Sequence, residues 1–310
     1  MFTIPDTFRY SYADEIALEY QQLMSRLEPY VTVISEVGLG WVGTKLGAGD
    51  DEGTEIIADG GDTNPTGVNA EVRHITARSF KVPKILKRLE MQGVGAAGNQ
   101  YTENVKRNQM ATAARDTDRI IIGAMLGPMR TGQDGLTTVN LNPAHVVAVD
   151  YVHSGVAANS GLTPAKITEI IRRLTSAEVT GQDVDQDQEV YLALGSKQIQ
   201  DLQNNPLIMN NQNLYAQLNG LREGQVLNIL GIMLKRVSDN ILPIDPATGI
   251  RTCIAWVRSA VYFNRASDVE IRMDVLPTKE HSVQIVAYYS FGGGRMDELG
   301  VLPVYCDEVL

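Results

Sequence analysis

The run TENVKRNQMATAARDTDRIIIGAMLGPMRTGQDG, Thr102 to Gly135, commits the chain to a helix of unusual length and so constrains everything that must pack around it. Thr102 is placed to cap this helix and Glu103 stands in its first turn. Met110, Ala113, Thr117, Ile121 and Ala124 then recur at helical spacing along one stripe. Gly127-Pro128 stops it. At ~1.5 Å per residue the segment from Glu103 to Leu126 spans roughly 36 Å, well beyond the usual globular helix. Small residues in its first half admit a close neighbour, whereas Ile120, Ile121, Ile122, Met125 and Leu126 surround the second half with apolar surface and demand burial.

Upstream of this helix the charge pattern is divided. Residues 1–10 read as an extended arm, Asp14–Leu27 as a helix with Ile16, Tyr20, Leu23 and Leu27 on one stripe, and Tyr30–Thr44 as a glycine-weakened strand. From Lys45 to Val68 the chain is Gly-rich and acidic through Asp50, Asp51, Glu52, Glu55, Asp59 and Asp62, with only Ile56-Ile57 as an apolar anchor. The return segment Glu71–Leu89 has the opposite sign, through Arg73, Arg78, Lys81, Lys84, Lys87 and Arg88. An acidic outward half and a basic return half imply a long hairpin, each arm reaching about 50 Å at strand spacing. Such a ribbon is marginal alone in water. Its complementary charges lead us to expect that Asp50, Asp51, Glu52, Glu55, Asp59, Arg73, Arg78, Lys81, Lys84, Lys87 and Arg88 meet another copy of the chain.

Downstream, residues 133–263 form a compact α+β unit. Thr163 caps a helix reaching Glu178, with Pro164 at its first position and Ile167, Ile170, Ile171 and Leu174 on one stripe. Glu189–Leu194 is a buried strand, SKQIQDLQNN a short helix, QVLNILGIMLK (Gln225–Lys235) an interior strand kinked at Gly231, and Thr252–Val257 a further strand. The end is β: Asp268–Val275 alternates as a half-buried strand, Ser282–Tyr289 returns, and Val301–Cys306 finishes.

Chemistry is thinly represented. The net charge of −10 over 310 residues disfavours wrapping DNA or lying on an anionic membrane. Cys253 and Cys306 are too few for a disulfide framework, so we expect a reducing compartment, and no run suits a membrane helix or an export signal. Gly93-Val94-Gly95-Ala96-Ala97-Gly98 matches a dinucleotide fingerprint and precedes a helix, which admits a dinucleotide-binding enzyme as an alternative. Yet KVPKILKRLEMQ before it is no buried strand, and the ribose carboxylate would have to be Asp116 or Asp118 on the helix. Asp183, Asp185, Asp187 and Glu189 imitate the start of a calcium loop, but Gln188 and Leu194 stand where Gly and Glu are required. The four histidines lack ligand spacing, and the basic run offers Phe80 alone for base stacking, which weakens a second alternative, a soluble nucleic-acid-binding module. No catalytic residue, metal or cofactor is expected.

Several stretches occur in an order that resembles the major capsid proteins of tailed double-stranded DNA bacteriophages. They are QQLMSRLEPYV (Gln21–Val31), ADGGDTNPTG (Ala58–Gly67) before the basic return, AARDTDRIIIGAMLGPMRTGQDG (Ala113–Gly135), AWVRSAVYF from Ala255, Arg272-Met273-Asp274, and FGGGRMDELGV from Phe291. The resemblance implies the Hong Kong 97-type capsid fold, of class α+β, with an N-terminal arm (1–30), an extended β-hairpin loop (31–90) and a peripheral domain built on the long spine helix (91–132) and the C-terminal strands (264–310). Residues 133–263 would form the axial domain. It further implies hexamers and pentamers closing an icosahedral virion shell around double-stranded DNA, assembled in the host cytoplasm with a portal and with scaffold or decoration proteins as further partners. No membrane, enzyme activity or Lys–Asn cross-link is assigned.

Overall fold

The computed structural model describes residues 21–36, 40–46, 70–87, 98–180, 189–209 and 227–309. The long helix, α1, is there as Gly98–Leu126, 29 residues. It begins a turn earlier than a Thr102 cap would place it, because Gly98-Asn99, themselves suited to a helix start, are already helical. Its buried row is Gln109, Ala113, Thr117, Ile121 and Met125, while Met110 is 55% exposed. Gln109 displaces Met110 because its side-chain amide nitrogen donates to the carbonyls of Val82 and Ile285, so both of its N–H donors find acceptors within the packing face.

Thirteen strands accompany α1 among the described residues. β1 (Thr32–Ile34), β2 (Gly40–Leu46), β3 (Ala70–Thr76) and β4 (Arg78–Leu86) precede it; β5 (Met129–Thr131) and β6 (Thr137–Val139) follow. Next come α2 (Pro164–Ser176), β7 (Val190–Leu194), α3 (Ser196–Asn204), α4 (Pro206–Met209), β8 (Leu227–Ile229), β9 (Ile232–Arg236) and β10 (Ile250–Val257). β11 (Val261–Leu276), β12 (Ser282–Arg295) and β13 (Val301–Asp307) end the chain. They form three sheets, ordered β1-β11-β12-β4, β13-β10-β7-β9-β8 and β2-β3-β5-β6. The first carries α1 on one face, with Tyr289 of β12 donating to Asp116 of α1. The second holds the densest core, where every residue of β7 is buried and Trp256 is inaccessible.

Where local signals were strong they held. Thr163 accepts the Lys166 backbone N–H at the start of α2, which buries Ile167, Ile170 and Leu174. On the same helix Glu169 is buried and binds Arg172, Arg173 and Tyr151. The Arg172 guanidinium above all, with Arg173 and Tyr151, holds its carboxyl down to about 2, although burial pushes the other way. A depressed carboxylate stabilises the fold fully above its ordinary value of 4.5 and loses that contribution as pH falls towards the folded value. Glu169→Gln should therefore flatten the acid limb of the stability profile between pH 4.5 and about 2, as followed by circular dichroism. An acid limb unchanged by the substitution would refute this.

Other expectations are corrected. Residues 21–27 are not helical, and Ile16 and Tyr20 lie outside the described residues. The chain turns at Glu28–Tyr30 in a single 3-10 turn with Pro29 inside it. Tyr30–Thr44 is not one strand: β1 pairs with β11, and β2 pairs with β3 in another sheet. The QVLNILGIMLK segment reverses at Leu230-Gly231, both at positive φ (54° and 87°), so β8 and β9 are an antiparallel hairpin rather than a kinked strand. Asp268–Val275 is the outer half of a longer strand, and its apolar face is not covered, since Met273 is 48% and Val275 56% exposed. Two strands also change company. β4 pairs with β12 rather than with the hairpin, and β13 closes the five-stranded sheet beside β10 rather than joining β11 and β12.

Candidate subunit-contact surfaces

Residues 70–86 divide the expected basic strand between two sheets. β3 continues the β2–β3 ribbon, whose register runs from Gly40↔Thr76 to Leu46↔Ala70. After Ala77 the chain enters β4, which pairs with β12 from Arg78↔Phe291 to Leu86↔Val283. Gly292 permits this change of sheet, because a Cβ there would sit 2.8 Å from the Thr76 carbonyl oxygen and 2.9 Å from the Ala77 Cα. β4 is an edge strand, and Pro83, which has no amide to donate, is tolerated there. Arg78, Lys81, Lys84 and, just beyond the strand, Lys87 are exposed. Charge and proline together make this edge a poor template for further pairing, leaving the cationic side chains as its accessible feature.

Arg73 departs from the expected set. Its side chain is 1% exposed and pairs with Glu71 at 2.6 Å and Glu298 at 2.9 Å. Its charge is thus engaged inside the protomer, by Glu71 and Glu298. Asp50, Asp51, Glu52, Glu55, Asp59 and Arg88 lie outside the described residues.

The anchor is part of a clamp at the ribbon's base. Both strands of the ribbon seize the β12–β13 turn: Lys45 of β2 pairs with Asp297 at 2.8 Å, and Arg73 of β3 with the next residue, Glu298. Beside them Arg295, wholly buried, donates to the carbonyls of Met125 and Gly127 at the end of α1 and to that of Val139. Its Nε is 3.8 Å from Glu298. Burial pushes the Arg295 guanidinium down, while Glu298 acts in the opposite direction. Trp41 stacks on Tyr262 with ring centroids 5.4 Å apart, and the His74 ring meets the Gly132 carbonyl at 2.7 Å. Sequence reading missed the clamp because Arg73 and Glu298 are 225 positions apart; the acidic pair in FGGGRMDELG was its only local sign.

A second anchor holds the exit of the N-terminal segment. Asp118 of α1 is inaccessible and accepts from Ser25 Oγ at 2.6 Å, from the backbone N–H groups of Arg26 at 3.0 Å and Leu27 at 3.1 Å, and from the Gln22 side chain. Arg265 pairs with Glu28 just beyond. Lys235 of β9 lies 3.5 Å from the centroid of the Tyr30 ring, and Trp256 donates to the Tyr30 carbonyl. Segment 22–30 is therefore fastened to both α1 and the five-stranded sheet.

These contacts also occupy the carboxylates on which the alternative chemistry depended. Asp116 and Asp118, the carboxylates a dinucleotide site would have needed, are engaged by Tyr289, Arg119 and the segment at 22–27. Of the glycine fingerprint, only Gly98 is described. Among the described residues no cluster of His, Cys, Asp or Glu could hold a metal, and no helix is long and apolar enough to cross a membrane. Cys253 and Cys306 are free and buried.

A sequence model of a family described as phage capsid protein matches residues 4–308. No curated protein matches the sequence. Solved structures similar to the chain include that of Mycobacterium phage Che8, at 16% identity over 94% of this chain and 95% of that one, with a TM-score of 0.67. The capsid of Ralstonia phage GP4 is 10% identical over 96% of this chain and 94% of that one, with a TM-score of 0.68. The head structure of Helicobacter pylori bacteriophage KHP40 is 10% identical over 96% and 95%, with a TM-score of 0.67.

Proposed function

The chain belongs to the phage capsid protein family, and from that membership we propose how its parts divide the building of an icosahedral shell. It is a major capsid protein, a structural subunit of a bacteriophage virion with the Hong Kong 97-type fold. In our reading it closes into hexamers and pentamers through heterologous contacts around symmetry axes. Residues 1–30 serve as an arm and the β2–β3 ribbon as the extended loop. α1, β4, β11 and β12 form the peripheral domain, and the five-stranded sheet with its helices, β13 included, forms the axial domain. The shell encloses double-stranded DNA, confined by volume rather than gripped, as a chain of net charge −10 allows. A portal and scaffold or decoration proteins complete assembly in the host cytoplasm, and the subunit's role is structural, with no catalytic step.

The observation that carries this reading is the family match, which runs from residue 4 to 308. We assign Arg78, Lys81, Lys84, Lys87 and Arg88 to contact with acidic surface of a neighbouring subunit, and Asp50, Asp51, Glu52, Glu55 and Asp59 to the acidic side of such a contact. The exposure of the first four supports the assignment. Negative-stain microscopy of the purified chain tests the general reading: shells, rings or tubes are expected, and a persistent monomer at high concentration would oppose it. Charge reversal of Lys84 and Lys87 tests the contact. Particle yield in sedimentation should collapse while circular dichroism stays native, and an unchanged yield would remove these residues from the interface.

A further inference from the structure

Two stretches of chain join the four-stranded sheet of β11 and β12 to the five-stranded sheet of β10 and β13. One is the 3-10 turn Arg258–Ala260 between β10 and β11, and the other is residues 296–300 between β12 and β13. They are tied to each other. The Ala260 carbonyl accepts the Met296 amide at 2.8 Å and the Asp297 amide at 3.4 Å, while the Gly300 carbonyl accepts the Val257 amide at 3.1 Å. Gly300 makes the approach possible, since a Cβ there would lie 2.5 Å from the Ala260 Cβ and 2.9 Å from the Val257 Cγ2. The seam between the two sheets is therefore closely packed, and a displacement on one side is passed to the other.

Residues 296–300 are also what β2 and β3 grip, through Lys45 and Arg73. A polar chain runs across them. Lys45 donates to Asp297 Oδ1 at 2.8 Å, and the same oxygen accepts the Leu299 amide at 3.1 Å. The Leu299 carbonyl in turn meets His145 Nε2 at 3.1 Å. His145 stands two residues before Val147, whose backbone bonds to β13 on both sides: its amide reaches the Pro303 carbonyl at 2.9 Å, and its carbonyl accepts the Tyr305 amide at 3.0 Å. The sheet of β2 and β3 thus reaches the five-stranded sheet through one carboxylate oxygen and one residue of the turn.

We propose that residues 296–300 couple these attachments, so that the hold of β2 and β3 on the body and the closure of the seam at Ala260 stabilise each other. With Lys45 in place the Asp297 carboxylate is fixed and Leu299 is oriented by it, while Met296 and Asp297 present their amides to Ala260. Without Lys45 the turn loses a constraint that both sheets share. Coupling of this kind is reciprocal, so whatever opens the seam must loosen the ribbon by the same factor. The contiguous hydrogen bonds give it a physical path. Engagement of the ribbon by a neighbouring subunit would then be felt in the five-stranded sheet. That consequence rests on the shell contact proposed above, whereas the coupling itself lies within one protomer.

Site-resolved hydrogen exchange on the full-length chain, at a dilution where sedimentation shows a monomer, tests the coupling in both directions. Lys45→Met keeps the aliphatic stem and removes the charge. It should accelerate the Val257, Met296 and Tyr305 amides about two- to fivefold, the range equivalent to a partly exposed ion pair. Gly300→Ala works from the other end: it forces the seam apart without touching the ribbon and should accelerate the ladder amides of β2 and β3. Amides of α2 and those pairing β4 with β12 are controls and should keep their rates. Acceleration confined to β2 and β3 in Lys45→Met would overturn the proposal, as would unchanged β2 and β3 in Gly300→Ala. An equal acceleration of every amide would also overturn it, because it reports lost global stability alone. Since the measurement is made on the monomer, failure of the shell contact would not alter its outcome.

Discussion

Glu298→Ala should be among the most destabilising single substitutions in the chain, with a loss of about 3–5 kcal/mol, the range for breaking a buried ion pair from one side. Glu298 receives Arg73 at 2.9 Å and faces Arg295 at 3.8 Å, and both arginines are excluded from solvent. Removing the carboxylate leaves two buried guanidinium groups of like sign near one another, with only the partly exposed Glu71 and a few carbonyls in compensation. Glu298→Gln keeps an acceptor and loses the charge, so it should fall between wild type and alanine. Thermal melting and hydrogen exchange separate two consequences. The melting midpoint should drop, and amides of β2 and β3 should exchange faster because the ribbon has lost one of its two ionic holds. A melting curve unchanged by the alanine substitution would mean that solvent reaches the arginines and that the clamp contributes nothing.

Asp118→Ala should cost about 3 kcal/mol or more, since hydrogen bonds to a charged group contribute roughly 1.5–3 kcal/mol each and do not add fully. The carboxylate is the shared acceptor of Gln22, Ser25, Arg26 and Leu27. Its loss strands two backbone donors close to buried Leu27. The effect should be local as well as global, with the Arg26 and Leu27 amides losing their protection while β7 and β10 keep theirs. Asp118→Asn retains one carbonyl oxygen and should recover part of the loss. Protection of Arg26 and Leu27 that survives in Asp118→Ala would show that Tyr30, held by Lys235 and Trp256, is sufficient to fasten this segment.

The parts of the fold legible in the sequence are those whose code is local. Thr163-Pro164 marks the start of α2 by capping chemistry, and VYLAL declares a buried strand by composition. Where the decisive contact is distant, local rules point elsewhere. Met110 fits a hydrophobic stripe better than Gln109, yet two carbonyls on β4 and β12 accept from the glutamine's amide nitrogen and draw it inward. Leu230 is an improbable residue for positive φ, so nothing in QVLNILGIMLK announced a reversal. The same limit applies to the contact surface. Charge sign alone grouped Arg73 with Arg78, Lys81 and Lys84, but sign does not distinguish a buried anchor from a solvated cation. Only the pairing of β3 with β2 and of β4 with β12 separates them.

One backbone passes without interruption from the ribbon into the body at Ala77, and this determines where mechanical load goes. A pull on the ribbon reaches the body through Ala77 and enters β4, which nine consecutive residue pairings tie to β12. Load from the ribbon thus enters the sheet that supports α1 through a ladder of pairings and not through a single bond.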